Sequence, residues 1–157
     1  MAFVLDASVS ACWAFADEDH PIADVAFSSL QTEEAVVPAL WWFEIRNILI
    51  VNERRGRIHG RDTDLFLRAL AQFRIRIDRE PEQADVLRMA RAQGLSVYDA
   101  AYLQLAYRKK LPLATLDRRL GDAAHVMSLS RRPGITRKTP DLLSPFRISI
   151  AIRTYED

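Results

Sequence analysis

Four carboxylates stand where a chain could use them for chemistry: Asp6, Glu44, Asp99 and Asp117. Asp6 ends the apolar run of "AFVLD", and Asp117 ends "LPLATLD" in the same manner. Apolar strands without alternation belong to parallel sheets covered by helices, and such sheets bind ligands outside the carboxyl ends of their strands. Glu44 sits in "PALWWFEIRNILIVNERRG", where Leu40, Glu44, Ile48 and Val51 are spaced by four, four and three and form one helical stripe. That stripe predicts a glutamate among core-facing residues, with Asn47 on the same face to orient it or a bound water. Asp99 lies in "GLSVYDAAYLQLAYRKK", where Ser96 and Asp99 have the spacing of a capping box. A cap in the first helical turn is compatible with a ligand role. Asp6 also has a plain alternative, as the cap of a helix starting near Ser8. A second carboxylate at a second strand end weakens that alternative.

If the four converge, each close pair repels by roughly 1 to 4 kcal/mol at ~4 Å. The counter-charge implied is a hard divalent cation, Mg²⁺ or Mn²⁺, because these prefer oxygen ligands and keep several waters beside substrate phosphates. Such an ion polarises a phosphoryl oxygen and lowers the pKa of a bound water. Ser8 and Thr115 flank the expected site as positioners. Other chemistries lack their residues. His20, His59 and His125 have no ligand-like spacing and read as surface side chains, and "GxxxxGK" is missing. Cys12 is the single cysteine, which rules out an intrachain disulfide; it reads as core, in a reducing setting. "DTD" at 62–64 reads as a helix start.

The elements that must carry these acids follow from the apolar pattern. Strands are predicted at 2–6, 35–37, 74–78 and 112–116, and helices at 8–17, 21–31, 39–54, 62–72, 82–93, 97–109 and 118–124. Strands separated by helices imply crossover connections, so the fold class is α/β: a three-layer α/β/α sandwich with a mainly parallel central sheet. Residues 1–125 read as one domain without repeats or linkers. From Ser128 to Pro145 the chain has three prolines, one glycine and four basic residues, and "FRISIAIRT" then alternates as a half-buried strand at 146–154. Residues 126–157 therefore read as an atypical extension.

Charge is uneven along the chain. Residues 1–45 hold eight acids and no Lys or Arg, whereas residues 46–157 hold 22 basic and 13 acidic side chains. Nineteen of the basic residues are Arg, which suits bidentate phosphate contacts and suggests an anionic partner. No basic leader followed by an apolar run opens the chain, and no stretch approaches the ~20 apolar residues of a membrane span. The expectation is a soluble, cytoplasmic protein with no membrane partner.

Taken in order, "VLDAS", "FEIRN", "YDAAYLQLA" and "LATLD" resemble the elements of the PIN-domain nucleases, most closely the VapC-type toxins of bacterial toxin–antitoxin pairs. The resemblance covers residues 1 to about 125 and places Asp6, Glu44, Asp99 and Asp117 as the acids, with Ser8, Asn47 and Thr115 in support. It implies a PIN-like fold, a Mg²⁺- or Mn²⁺-dependent endoribonuclease acting on RNA, a cognate antitoxin across the groove, and a homodimer. The tail departs from the family, which supplies a short apolar strand soon after the last helix; it is either a genuine extension or an altered reading frame. The rival from another class is a catalytically impaired module that binds an antitoxin or nucleic acid without cleavage. Receiver domains and Asp-nucleophile phosphatases are disfavoured because "LDASV" lacks an adjacent acid and has Ser8 where the second Asp would stand.

Overall fold

The computed structural model describes residues 1–81 and 83–130. Four strands form one sheet in the order β3-β2-β1-β4, all parallel: β1 (Phe3–Leu5), β2 (Ala35–Pro38), β3 (Ile75–Asp78) and β4 (Leu113–Ala114). Between and after them run α1 (Ala7–Cys12), α2 (Pro21–Ser29), α3 (Leu40–Arg54), α4 (Gly60–Leu70), α5 (Gln83–Gln93), α6 (Val97–Lys109) and α7 (Arg118–Val126). Every strand and helix predicted over the described residues is present, and the α/β/α sandwich is the observed architecture.

β1 and β2 are buried along their whole length, as an unalternating apolar run requires of a central parallel strand. Register puts Phe3 beside Ala35, Leu5 beside Ala114 and Pro38 beside Asp78, so Asp6 and Asp78 both emerge at the carboxyl edge of the sheet. α1 packs on α2 and α3, and α3 on α4. On the other side α6 packs on α5 and α7 and crosses β1, β2 and β4.

Several boundaries differ from expectation, and three of them have a local reason. α1 stops at Cys12 rather than 17, because Trp13 turns to donate its indole N–H to the Ala23 carbonyl at 3.0 Å. The acids Asp17, Glu18 and Asp19 would also have faced the negative end of a longer helix. α4 begins at Gly60, two residues before the "DTD", because the Asp62 carboxylate accepts the His59 backbone N–H at 3.1 Å and fixes the helix start. The strand expected at 112–116 shortens to Leu113–Ala114, since the chain turns at Thr115 to reach α7.

Past α7 the chain returns to the sheet. The Leu113 N–H donates to the Leu129 carbonyl at 2.6 Å, and Leu113 and Ser130 form a parallel bridge. The expected extension, including the strand at 146–154, lies from residue 131 onward outside the described residues. Cys12 is buried as expected. Among the described residues no helix is long and apolar enough to cross a membrane.

Candidate active site

Asp6 is only 6% exposed. It occupies the N-cap position of α1 with extended backbone, yet its side chain makes no capping bond. The carboxylate is held from elsewhere: Ser8 Oγ donates to Oδ2 at 2.5 Å and Thr115 Oγ1 donates to the same oxygen at 2.7 Å. Both hydroxyls are themselves oriented. Ser8 Oγ accepts the Leu116 N–H and Thr115 Oγ1 accepts the Asp117 N–H, each at 3.0 Å, so their own protons are free to point at Asp6. The expected supporting roles of Ser8 and Thr115 are thus a physical staple between β1 and the turn before α7. Burial pushes the Asp6 carboxyl above its ordinary value, against the pull of Ser8, Thr115 and the Ala7 N–H, and the charge of Asp99 pushes the same way as burial.

Glu44 comes from α3. The stripe that packs into the core is Trp41, Ile45, Leu49 and Asn52, one position round from the predicted Leu40, Glu44, Ile48 and Val51, which are half-buried. That correction matters: Glu44 sits at the flank of the core, where one side of its carboxylate can be buried and the other reached. Tyr102 on α6 donates its hydroxyl to Glu44 Oε2 at 2.5 Å. Desolvation lifts the Glu44 carboxyl to about 6, the Tyr102 bond pulls it back, and the charges of Asp6 and Asp99 add to the rise. Asn47, expected beside it, is exposed.

Asp99 opens α6 and confirms only half of the expected capping box. Ser96 Oγ accepts the Asp99 N–H at 3.1 Å, but the Asp99 carboxylate takes the Ser96 hydroxyl at 2.7 Å instead of its backbone N–H. Asp117 is the outlier. It is exposed, and its Oδ1 caps α7 by accepting the Leu120 N–H at 2.8 Å. The charges of Asp6 and Asp99 act on Glu44, and that of Asp99 acts on Asp6. Asp117 is linked to Asp6 through Thr115, whose Oγ1 accepts the Asp117 N–H and donates to the Asp6 carboxylate.

Among the described residues none of Asp6, Glu44 and Asp99 has a Lys, Arg or His ion-pair partner. Among those residues, too, no three His, Cys, Asp or Glu stand together as a ready ligand set for a metal ion. Glu44 and Asp99 each have one oxygen bonded to a protein hydroxyl, which leaves the other for a cation that keeps most of its waters. The donor set, oxygen throughout and negative, fits a hydrated hard divalent ion.

Two positioning features were not anticipated from sequence. One is Tyr102, three residues after Asp99 on the same helix, a spacing that shares a face. The other is a buried relay in which Trp41 Nε1 donates to Ser10 Oγ at 2.9 Å and Ser10 Oγ donates to the Asp6 carbonyl at 3.2 Å. It ties the first turn of α3, which carries Glu44, to the strand end that carries Asp6. Leu40, Val97, Tyr98 and Ala101 are among the residues that line an apolar cleft of about 360 Å³ between the starts of α3, α5 and α6.

Residues 3–126 match the PIN domain family. Over 126 residues the chain is 32% identical to ribonuclease VapC3 of Pyrobaculum aerophilum, covering 78% of this chain and 94% of that protein. The crystal structure of PAE2754 from Pyrobaculum aerophilum superposes with a TM-score of 0.63 at 23% identity, over 78% of this chain and 84% of that one, a likeness of fold.

Proposed function

The chain belongs to the PIN-domain family, and from that premise we propose that it is a metal-dependent endoribonuclease acting as the toxin of a toxin–antitoxin pair. The observation that carries the reading is Asp6, buried at the end of β1 and held by two hydroxyls, under the charge of Asp99 and acting on Glu44, with no cationic side chain paired to any of the three among the described residues. A folded protein tolerates such a cluster at a site that takes up a cation. Mg²⁺ or Mn²⁺, when bound, supplies Lewis acidity and a water of lowered pKa. Asp6, Glu44 and Asp99 would hold it, with Asp117 at the rim.

The chain's own groups do the rest. Asp6, pinned by two hydroxyls, presents its carboxyl group in a fixed place. Glu44, with its carboxyl lifted to about 6, is suited to accept a proton near neutral pH and positions the attacking water. Arg118 and Arg119, exposed at the start of α7 next to Asp117, suit contacts to the RNA backbone. Tyr98, 65% exposed and adjacent to Asp99, offers a ring for stacking an unpaired base, which favours single-stranded RNA.

Trp42 and Phe43, 41% and 69% exposed on α3, give an apolar surface suited to a protein partner. The antitoxin and a second copy of the chain are the partners in this reading, and the cytoplasm is its place of action.

The test is cleavage of a labelled single-stranded RNA by wild type and Asp6→Asn, with Mg²⁺, Mn²⁺ or a chelator. Cleavage that requires both the ion and Asp6 is expected. Metal binding without cleavage by the wild type would favour the non-catalytic binding module instead.

A further inference from the structure

Tyr102 is among the largest fully buried side chains, 1% exposed, and its ring belongs to the main core. Its hydroxyl is a different matter. A buried phenol must find an acceptor, and core positions that need only volume are filled by Phe or Leu without that demand. Here the acceptor is the Glu44 carboxylate, 58 positions away in sequence, at 2.5 Å. The bond joins α6, which carries Asp99, to α3, which carries Glu44, so the spacing between two acids is fixed by a third residue.

The consequence for Glu44 is specific. A glutamate side chain has three rotatable bonds and, half-buried at the edge of the core, several ways to turn. Tyr102 binds Oε2 alone, which sets the carboxylate plane and, among the described residues, leaves Oε1 without a protein donor. Asp6 and Asp99 are each held by hydroxyls from their own neighbourhood in the chain or the adjoining turn. Among the described residues Glu44 has no such local donor, and its orientation depends on Tyr102.

We infer that Tyr102 is a positioning residue for the reaction proposed above, its hydroxyl holding the Glu44 carboxylate in one orientation with Oε2 engaged. This rests on the nuclease reading of the site for its catalytic consequence, and on the hydrogen bond alone for its structural one.

The experiment compares wild type, Tyr102→Phe, Glu44→Ala and the double variant in three readouts: kcat and KM on single-stranded RNA, the Mn²⁺ concentration that gives half of the thermal stabilisation, and melting of the metal-free protein. Tyr102→Phe keeps the ring, so KM should stay within about twofold while kcat falls roughly 10- to 100-fold and the Mn²⁺ midpoint rises by a similar factor, the usual loss when an outer partner of a ligand is removed. In the Glu44→Ala background the same substitution should change neither rate nor midpoint, and should raise the melting temperature because it removes a stranded hydroxyl.

Wild-type kcat and midpoint in Tyr102→Phe would overturn the positioning role. So would an equal loss with and without Glu44, since Tyr102 would then act by another route. A wild type with neither metal response nor cleavage overturns the nuclease reading instead, and the metal-free melting cycle then decides the Tyr102–Glu44 bond by itself.

Discussion

Two carboxylates end neighbouring parts of the same sheet edge and live in opposite surroundings. Asp78, at the end of β3 and 9% exposed, is met by Arg108 and, at 3.8 Å, by Lys109. Asp6, at the end of β1 and 6% exposed, is met by hydroxyls, a backbone N–H and other acids. The burial is nearly equal, so burial does not distinguish a structural carboxylate from one available for chemistry. The counter-charge does. Asp78 has its cations built into the fold and fastens the end of α6 to β3. Asp6 and its neighbours have none among the described residues, so their charge is left for something that binds.

Substitutions should separate the two. Asp6→Asn removes one charge from a repelling group, so the metal-free protein should become more stable while cleavage falls by more than the 10- to 100-fold typical of an outer partner; melting and single-turnover assays read the two effects. Asp78→Asn should do the reverse. It strands a mostly buried Arg108 whose Nε already lacks a partner, at a cost of about 3 kcal/mol in denaturant unfolding, while the metal response of the folded protein persists. Thr115→Val, which takes a donor from Asp6 and an acceptor from the Asp117 N–H, should cost about 1 to 2 kcal/mol and raise the Asp6 carboxyl further.

The smallest effect is in pH. Glu44 is raised in the fold from an ordinary 4.5 to about 6, so between those values the folded state holds the proton more tightly than the unfolded chain. The metal-free protein therefore loses stability from Glu44 as pH rises through that window. The loss is no more than about 1 kcal/mol, because the half-exposed side chain is screened by solvent. The difference between wild type and Glu44→Gln isolates it, and saturating Mg²⁺ should flatten it.

Much of this was legible in the chain. The unalternating run before Asp6 specified a central parallel strand, and the spacing of strands and helices specified the layers. Local rules failed where a distant residue decided. The phase of α3 was misjudged by one position because Leu40, Ile48 and Val51 are apolar enough to pass for the core stripe, and only packing against the sheet selects Trp41, Ile45 and Leu49. Asp117 looked like a second Asp6, but it stands three residues beyond β4, past the turn at Thr115, and its carboxylate caps α7. Tyr102 and the Trp41–Ser10 relay were invisible because their bonds span 58 and 31 positions, and no periodicity encodes a partner at such a distance. Asp78 and Arg108, 30 positions apart, were unread for the same reason.

The most direct test of the central claim, that Asp6 belongs to a cation-accepting acid cluster, is a Mg²⁺ and Mn²⁺ titration of wild type and Asp6→Asn followed by thermal melting. The account predicts that wild type gains stability with either ion, that Asp6→Asn starts more stable, and that the variant gains nothing on titration. A variant that starts less stable and is still stabilised by the ion would contradict it.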